Sequence, residues 1–210
     1  MKTIGDILSA SPVIPVVTIE DAADAVPLAQ ALVRGGVRVV EVTLRTKAAF
    51  DAIKAIAAGV PEILLGVGTV LKPADLEAAA RAGATFAISP GTTPSLLAAA
   101  KNAPIPFLPG VATPSEIMAA VEAGFGHLKF FPASVFGGPD ALKAFAGPFP
   151  SLRFCPTGGV TAENAARYLA LPNVVCVGGS WLTPAAAVAA RHWGEVERLA
   201  REAVAGLARR

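Results

Sequence analysis

Eight short runs rich in β-branched residues recur along the 210-residue chain, and their spacing constrains the fold more than any other feature. They cover 13–19, 38–44, 63–67, 84–89, 105–108, 127–131, 152–156 and 173–177, with first residues about 21 to 25 positions apart. Runs of this length and composition read as strands. Ala-rich segments of helical period follow them, for example 22–33 and 74–82, so strand and helix alternate. Continuously apolar strands in such a pattern predict a parallel sheet covered on both faces. Eight units predict closure into a (β/α)8 TIM barrel, one domain over 1–210, with an extra N-terminal helix in residues 1–10 covering its bottom. An open doubly wound sheet would carry fewer units and a glycine-rich loop after its first strand. Residues 16–21, Val-Val-Thr-Ile-Glu-Asp, contain no glycine.

Boundary residues agree. Pro73, Pro94, Pro114 and Pro184 each precede an Ala-rich run, where proline suits a first helical turn. Gly35, Gly59, Gly83 and Gly124 close helical segments, where glycine can take the left-handed conformation.

The composition, 53% hydrophobic and 16% charged, implies much buried surface, including subunit contacts. No apolar stretch reaches the roughly 18 to 20 residues that span a bilayer. The first residues, Met1-Lys2-Thr3-Ile4-Gly5-Asp6, do not read as a secretory signal, so a cytoplasmic protein is expected. Cys155 and Cys176 sit in apolar runs without a CxxC pair and read as buried, reduced thiols. A net charge of +2 gives little field for nucleic acid, and no membrane partner is expected. The Arg-rich stretch 201–210 reads as a helix C-terminus whose cations offset the helix dipole.

In a barrel the loops after the strands form the active-site face, so polar residues late in each strand carry the information. Alternation places Glu41, Thr43 and Arg45 on one face of the second strand. A carboxylate embedded in Val39-Val40-Glu41-Val42 needs a partner or a purpose. Lys129, in His127-Leu128-Lys129-Phe130-Phe131-Pro132, is a second charge in an apolar run. The two form either an internal ion pair or a catalytic couple, since a neutral amine is what attacks a ketone. Phe131 shares the lysine's face and borders substrate in the catalytic reading. Thr157-Gly158-Gly159 and Gly178-Gly179-Ser180 follow the seventh and eighth strands, where barrels often bind phosphate through backbone N–H groups. Thr69 would add a hydroxyl to the same rim and Pro90 a narrow wall. With His127 and His192 the only histidines, no metal or other cofactor is expected, and a metal-assisted phosphosugar isomerase or epimerase fits poorly. A non-catalytic sugar-phosphate-binding barrel should have lost the lysine or the carboxylate, and this chain keeps both.

Together, Glu41-Val42-Thr43-Leu44-Arg45-Thr46, Gly66-Val67-Gly68-Thr69-Val70-Leu71, Ile88-Ser89-Pro90-Gly91, Lys129-Phe130-Phe131-Pro132-Ala133, Arg153-Phe154-Cys155-Pro156-Thr157-Gly158-Gly159 and Val177-Gly178-Gly179-Ser180-Trp181 resemble 2-keto-3-deoxy-6-phosphogluconate aldolase. The resemblance implies a class I aldolase, usually homotrimeric, that releases pyruvate and glyceraldehyde 3-phosphate and often also acts on 4-hydroxy-2-oxoglutarate. It implies Lys129 as Schiff-base nucleophile and Glu41 as general acid/base. Arg45 and Thr69 would hold the pyruvoyl carboxylate, with Thr157 close by. Gly158, Gly159, Gly179 and Ser180 would cradle phosphate. An aldolase for the galactonate epimer is the nearest alternative. Two positions depart from the family pattern. Ser134 follows Ala133 where a glutamate is usual, and Val67 replaces an alanine, where an inward side chain would fill or crowd the pocket.

Overall fold

The computed structural model describes residues 2–207. Its elements alternate as the sequence periodicity requires: α1 (Ile4–Leu8), β1 (Val13–Val17), a 3-10 turn (Ala22–Asp24), α2 (Ala25–Arg34), β2 (Val39–Thr43), α3 (Ala49–Gly59), β3 (Leu64–Gly68), α4 (Pro73–Arg81), β4 (Phe86–Ile88), α5 (Pro94–Lys101), β5 (Phe107–Leu108), β6 (Gly110–Val111), α6 (Pro114–Glu122), β7 (His127–Phe130), α7 (Gly138–Phe145), β8 (Arg153–Pro156), α8 (Ala165–Leu169), β9 (Val177–Gly179), α9 (Ala185–Ala189) and α10 (Trp193–Leu207). The fold is α/β, built on a curled parallel sheet of six strands in the order β5-β4-β3-β2-β1-β9 and a three-stranded parallel sheet, β6-β7-β8.

Two strands differ from expectation for local reasons. The fifth strand extends past the expected 105–108, as Phe107–Leu108 and Gly110–Val111 on either side of Pro109, which has no N–H to give a ladder, although its carbonyl accepts from the Lys129 N–H at 2.8 Å. The eighth strand lies at Val177–Gly179, not at 173–177. In 173–177 only an isolated bridge, Phe154 to Val174, precedes it, so Gly178 and Gly179 belong to the strand and do not follow it.

Side-chain alternation sorts the core into two layers. Val13, Val17, Val40 and Val42 join the large cluster between strands and helices. Ile14, Val39, Phe86, Ile88, Leu108 and Cys155 form the smaller cluster on the other face, capped by Ile7 and Leu8 of α1. Both cysteines are buried. The N-terminal helix is thus shorter than residues 1–10, and Met1 lies outside the described residues.

Pro73, Pro94 and Pro114 open α4, α5 and α6. Pro184 instead occupies the N-cap of α9. Gly83 and Gly124 take positive φ, but Gly35 and Gly59 do not, and the left-handed residue after α2 is Gly36. Gly35 is small for packing: a Cβ there would meet Glu197 O and Ala200 of α10. Of the Arg-rich stretch, Arg201 pairs with Glu197 within α10. Residues 208–210 lie outside the described residues. No described helix is long and apolar enough to cross a membrane.

Candidate active site

β2 and β7 are not ladder neighbours, yet their central charged residues meet on the concave face. Lys129 Nζ lies 3.1 Å from Glu41 Oε1 and 3.4 Å from Oε2. Both residues are almost fully buried, Lys129 at 4% and Glu41 at 2% exposure. A buried ion pair is a poor stabilising device, because desolvation offsets most of the attraction. Here the lysine also reaches the surface of a cavity of about 740 Å³, the size of a small-molecule site. Its Nζ stands 5.3 Å from the Phe131 ring centroid, within cation–π range.

Glycines make room for this pair. A Cβ on Gly68 would overlap the Glu41 carboxylate, and one on Gly66 would overlap the Phe86 ring. The next residue, Thr69, has φ +60°, a left-handed conformation that is uncommon for a β-branched residue. That turn brings its hydroxyl to the Arg45 side chain, whose Nε donates to Thr69 Oγ1 at 3.2 Å. Arg45 is therefore held at the cavity edge.

The opposite wall comes from the ends of β8 and β9. Gly158 and Gly159 both have positive φ, +92° and +74°. Asn164 pins their loop: its Nδ2 donates to Gly159 O at 2.9 Å, and its Oδ1 accepts from the Thr161 N–H at 2.9 Å. Gly178 faces Thr157, whose hydroxyl a Cβ would displace, and Gly179 lies under the Trp181 ring.

Arg45, Lys129, Phe131, Thr157, Gly158, Gly159, Gly179 and Ser180 all line the cavity. Glu41 stands behind Lys129, and Thr69 is joined to the rim through Arg45. Pro90 does not line the cavity; its carbonyl carbon packs against Gly110, where a Cβ would collide with it. Val67 is fully buried in the cluster facing the helices, so its side chain is not inward and neither fills nor crowds the pocket. Ser134 packs against Gly159, where a Cβ would overlap its hydroxyl.

Sequence reasoning missed two features. Thr18 lines the cavity and hydrogen-bonds Thr43 at 3.0 Å, while Thr43 donates to Val17 O at 3.1 Å. Asn164 carried a faint signal, an Asn at a helix start, but its side chain makes no bond to α8 and serves the glycine loop. Among the described residues no group of three or more His, Cys, Asp or Glu could hold a metal.

A parallel α/β scaffold that presents a buried lysine–carboxylate couple to a cavity defines the setting of a Schiff-base enzyme. A family model described as KDPG and KHG aldolase matches residues 4–199, and the chain belongs to that family. It is 52% identical to the 2-dehydro-3-deoxy-phosphogluconate aldolase of Pseudoalteromonas atlantica, covering 97% of this chain and 94% of that one. It is 54% identical to the KHG/KDPG aldolase of Escherichia coli K12, covering 95% and 94%. Among solved structures it resembles the KDPG aldolase of Legionella pneumophila, with pyruvate captured at low pH as a covalent carbinolamine intermediate. That match has a TM-score of 0.94, 47% identity, and covers 95% and 97% of the two chains.

Proposed function

We propose that the chain is a class I aldolase that reversibly cleaves 2-keto-3-deoxy-6-phosphogluconate to pyruvate and glyceraldehyde 3-phosphate, and that it also acts on 4-hydroxy-2-oxoglutarate. The observation that carries the reading is the 3.1 Å contact between Lys129 Nζ and Glu41 Oε1 at a cavity wall. Relatives about half identical over nearly the whole chain support the same reaction.

In this mechanism Lys129 gives a proton to Glu41 and attacks the substrate's C2 ketone as the neutral amine. The carbinolamine loses water to form an iminium, which is the electron sink. Glu41, again ionised, takes the C4 hydroxyl proton as the C3–C4 bond breaks. The bonding electrons pass into the iminium and leave a pyruvate enamine, while C4 departs as the aldehyde of glyceraldehyde 3-phosphate. Protonation of C3 from Glu41 restores the iminium, and water releases pyruvate and Lys129. Arg45, braced by Thr69, holds the pyruvoyl carboxylate, with Thr157 and Phe131 shaping that end. Gly158, Gly159, Gly179 and Ser180 receive the phosphate. Closely spaced positive-φ glycines suit a backbone anion nest.

The same reading extends to the scaffold. Bridges from Thr157 to Gly178 and Phe154 to Val174, and the segment 107–111 pairing with β4 on one side and β7 on the other, support closure of the strands into a (β/α)8 barrel as one domain. Exposed Met118 and Val121 on α6 and Val135 and Phe136 before α7 support burial in a homotrimer. A cytoplasmic enzyme fits the phosphorylated substrate.

Borohydride reduction in the presence of pyruvate tests the central step. The expected result is a mass increase on Lys129 that Lys129→Ala abolishes; trapping that persists in Lys129→Ala would sink the assignment.

A further inference from the structure

The end of the sheet opposite the active site carries a second cleft, of about 340 Å³, lined by Thr3, Gly5, Asp6, Ser9, His127, Arg153 and three residues at 172–175. His127 and Arg153 open β7 and β8 and are direct partners across that parallel ladder. Basic groups set opposite one another on a sheet repel when both are charged. Arg153 has no ion pair among the described residues, and its hydrogen bonds, to Pro150 O and Leu152 O, both leave from Nη1. The His127 ring makes no side-chain hydrogen bond among the described residues, and its Nε2 edge packs close to Gly5, where a Cβ would come within 3.1 Å.

The one carboxylate in the lining, Asp6, is already engaged. It accepts from the Thr3 N–H at 2.9 Å and from the Thr3 hydroxyl at 2.7 Å, in the capping box of α1, and it also feels Lys2. The groups facing His127 are therefore Arg153 from β8 and Asp6 from α1, a carboxylate that stays ionised and whose Oδ2 is taken up by Thr3. Lys129, on the same face of its own strand, is turned to Glu41.

We propose that this cleft binds a small tetrahedral oxyanion, as free phosphate or a phosphate monoester, between Arg153 and protonated His127. Arg153 supplies Nε and Nη2, His127 supplies a ring N–H, and the Ser9 hydroxyl lies on the lining. Without the anion, burial and the neighbouring Arg153 charge hold the His127 imidazolium below its usual range. Bound anion reverses the second of these, so occupancy and protonation favour each other reciprocally. The site is separate from the cavity that Lys129 serves, and its ligand needs no part in the aldol chemistry.

The chain has only two histidines, and exposed His192 is an internal control. Both imidazole signals are followed by NMR between about pH 5 and 8, in chloride and in sulfate at matched ionic strength. Sulfate keeps its charge throughout. The expected result is a saturable rise of about one unit in the His127 midpoint, equivalent to roughly tenfold tighter binding by the protonated form, with His192 unmoved. Arg153→Gln should abolish the rise. Inorganic phosphate and glycerol phosphate, competing against sulfate, then separate the free ion from the monoester by which displaces it at lower concentration. Absence of a saturable shift, equal movement of both histidines, or a His127 shift that survives in Arg153→Gln overturns the proposal.

Discussion

Gly68 of β3 lies directly beneath the carboxylate of Glu41 of β2, so closely that a methyl group at position 68 would occupy the space of Oε1. The carboxylate can meet Lys129 only because that space is empty. In Gly68→Ala, Glu41 must swing away from its 3.1 Å contact. Displacement of about 1 Å is enough to cost roughly 100-fold in rate. Steady-state assay of pyruvate release should show that loss in kcat, while borohydride trapping of pyruvate on Lys129 survives. A Gly68→Ala enzyme with unchanged kcat would mean that Glu41 position is not limiting.

Asn164 should matter for phosphate and not for the keto acid. It spans the glycine loop by two hydrogen bonds and contributes none to α8. Each such bond is worth about 1 kcal/mol, so Asn164→Ala is expected to raise KM for the phosphorylated substrate roughly tenfold. KM for 4-hydroxy-2-oxoglutarate, which has no phosphate, should stay within about twofold. Equal losses on both substrates would instead mark a general structural defect.

The strands were legible because valine and isoleucine concentrate where two faces are covered, and the buried Lys129–Glu41 pair because a charge inside such a run is conspicuous. β9 was misplaced for the converse reason: Val-Gly-Gly carries almost no strand signal, and its glycines are set by side-chain positions that periodicity does not show, the Thr157 hydroxyl from β8 against Gly178 and the Trp181 ring folded back over Gly179. Gly68 was legible as part of the Gly66-Val67-Gly68-Thr69 motif but not as the floor of Glu41, since that contact crosses a ladder. The orientation of Val67 followed from its register with Val42 and Ala87, which periodicity alone did not anchor.

The start of α6 offers a pH-dependent test of stability. Burial pushes the Glu116 carboxyl up, but hydrogen bonds from the Ala112 N–H, the Thr113 hydroxyl and the Thr113 N–H outweigh it and hold the group below its usual 4.5. A lowered carboxyl stabilises the fold above its unfolded value and loses that contribution as pH falls through the folded value. Thermal melts should therefore show Glu116→Gln less stable than the parent near neutrality, with the gap closing in acid. Thr113→Ala removes the other half of the capping box and should cost about 1 kcal/mol, or roughly 2 to 4 °C in Tm.

Two glycine-to-alanine changes at the α2–α10 layer should move stability in opposite directions. Gly35 ends α2 against α10, and an added Cβ would meet Ala200 and lie 2.8 Å from Glu197 O. Backbone cannot yield cheaply there, so Gly35→Ala should destabilise by about 1 to 3 kcal/mol. Gly206 lies within α10 itself, and nothing described stands within 4 Å of a Cβ built on it. Alanine loses less backbone entropy than glycine in a helix, so Gly206→Ala should stabilise by up to about 1 kcal/mol. Denaturant midpoints measured side by side check both signs. A neutral Gly35→Ala would show that α2 and α10 can separate without loss, contrary to the close packing between them.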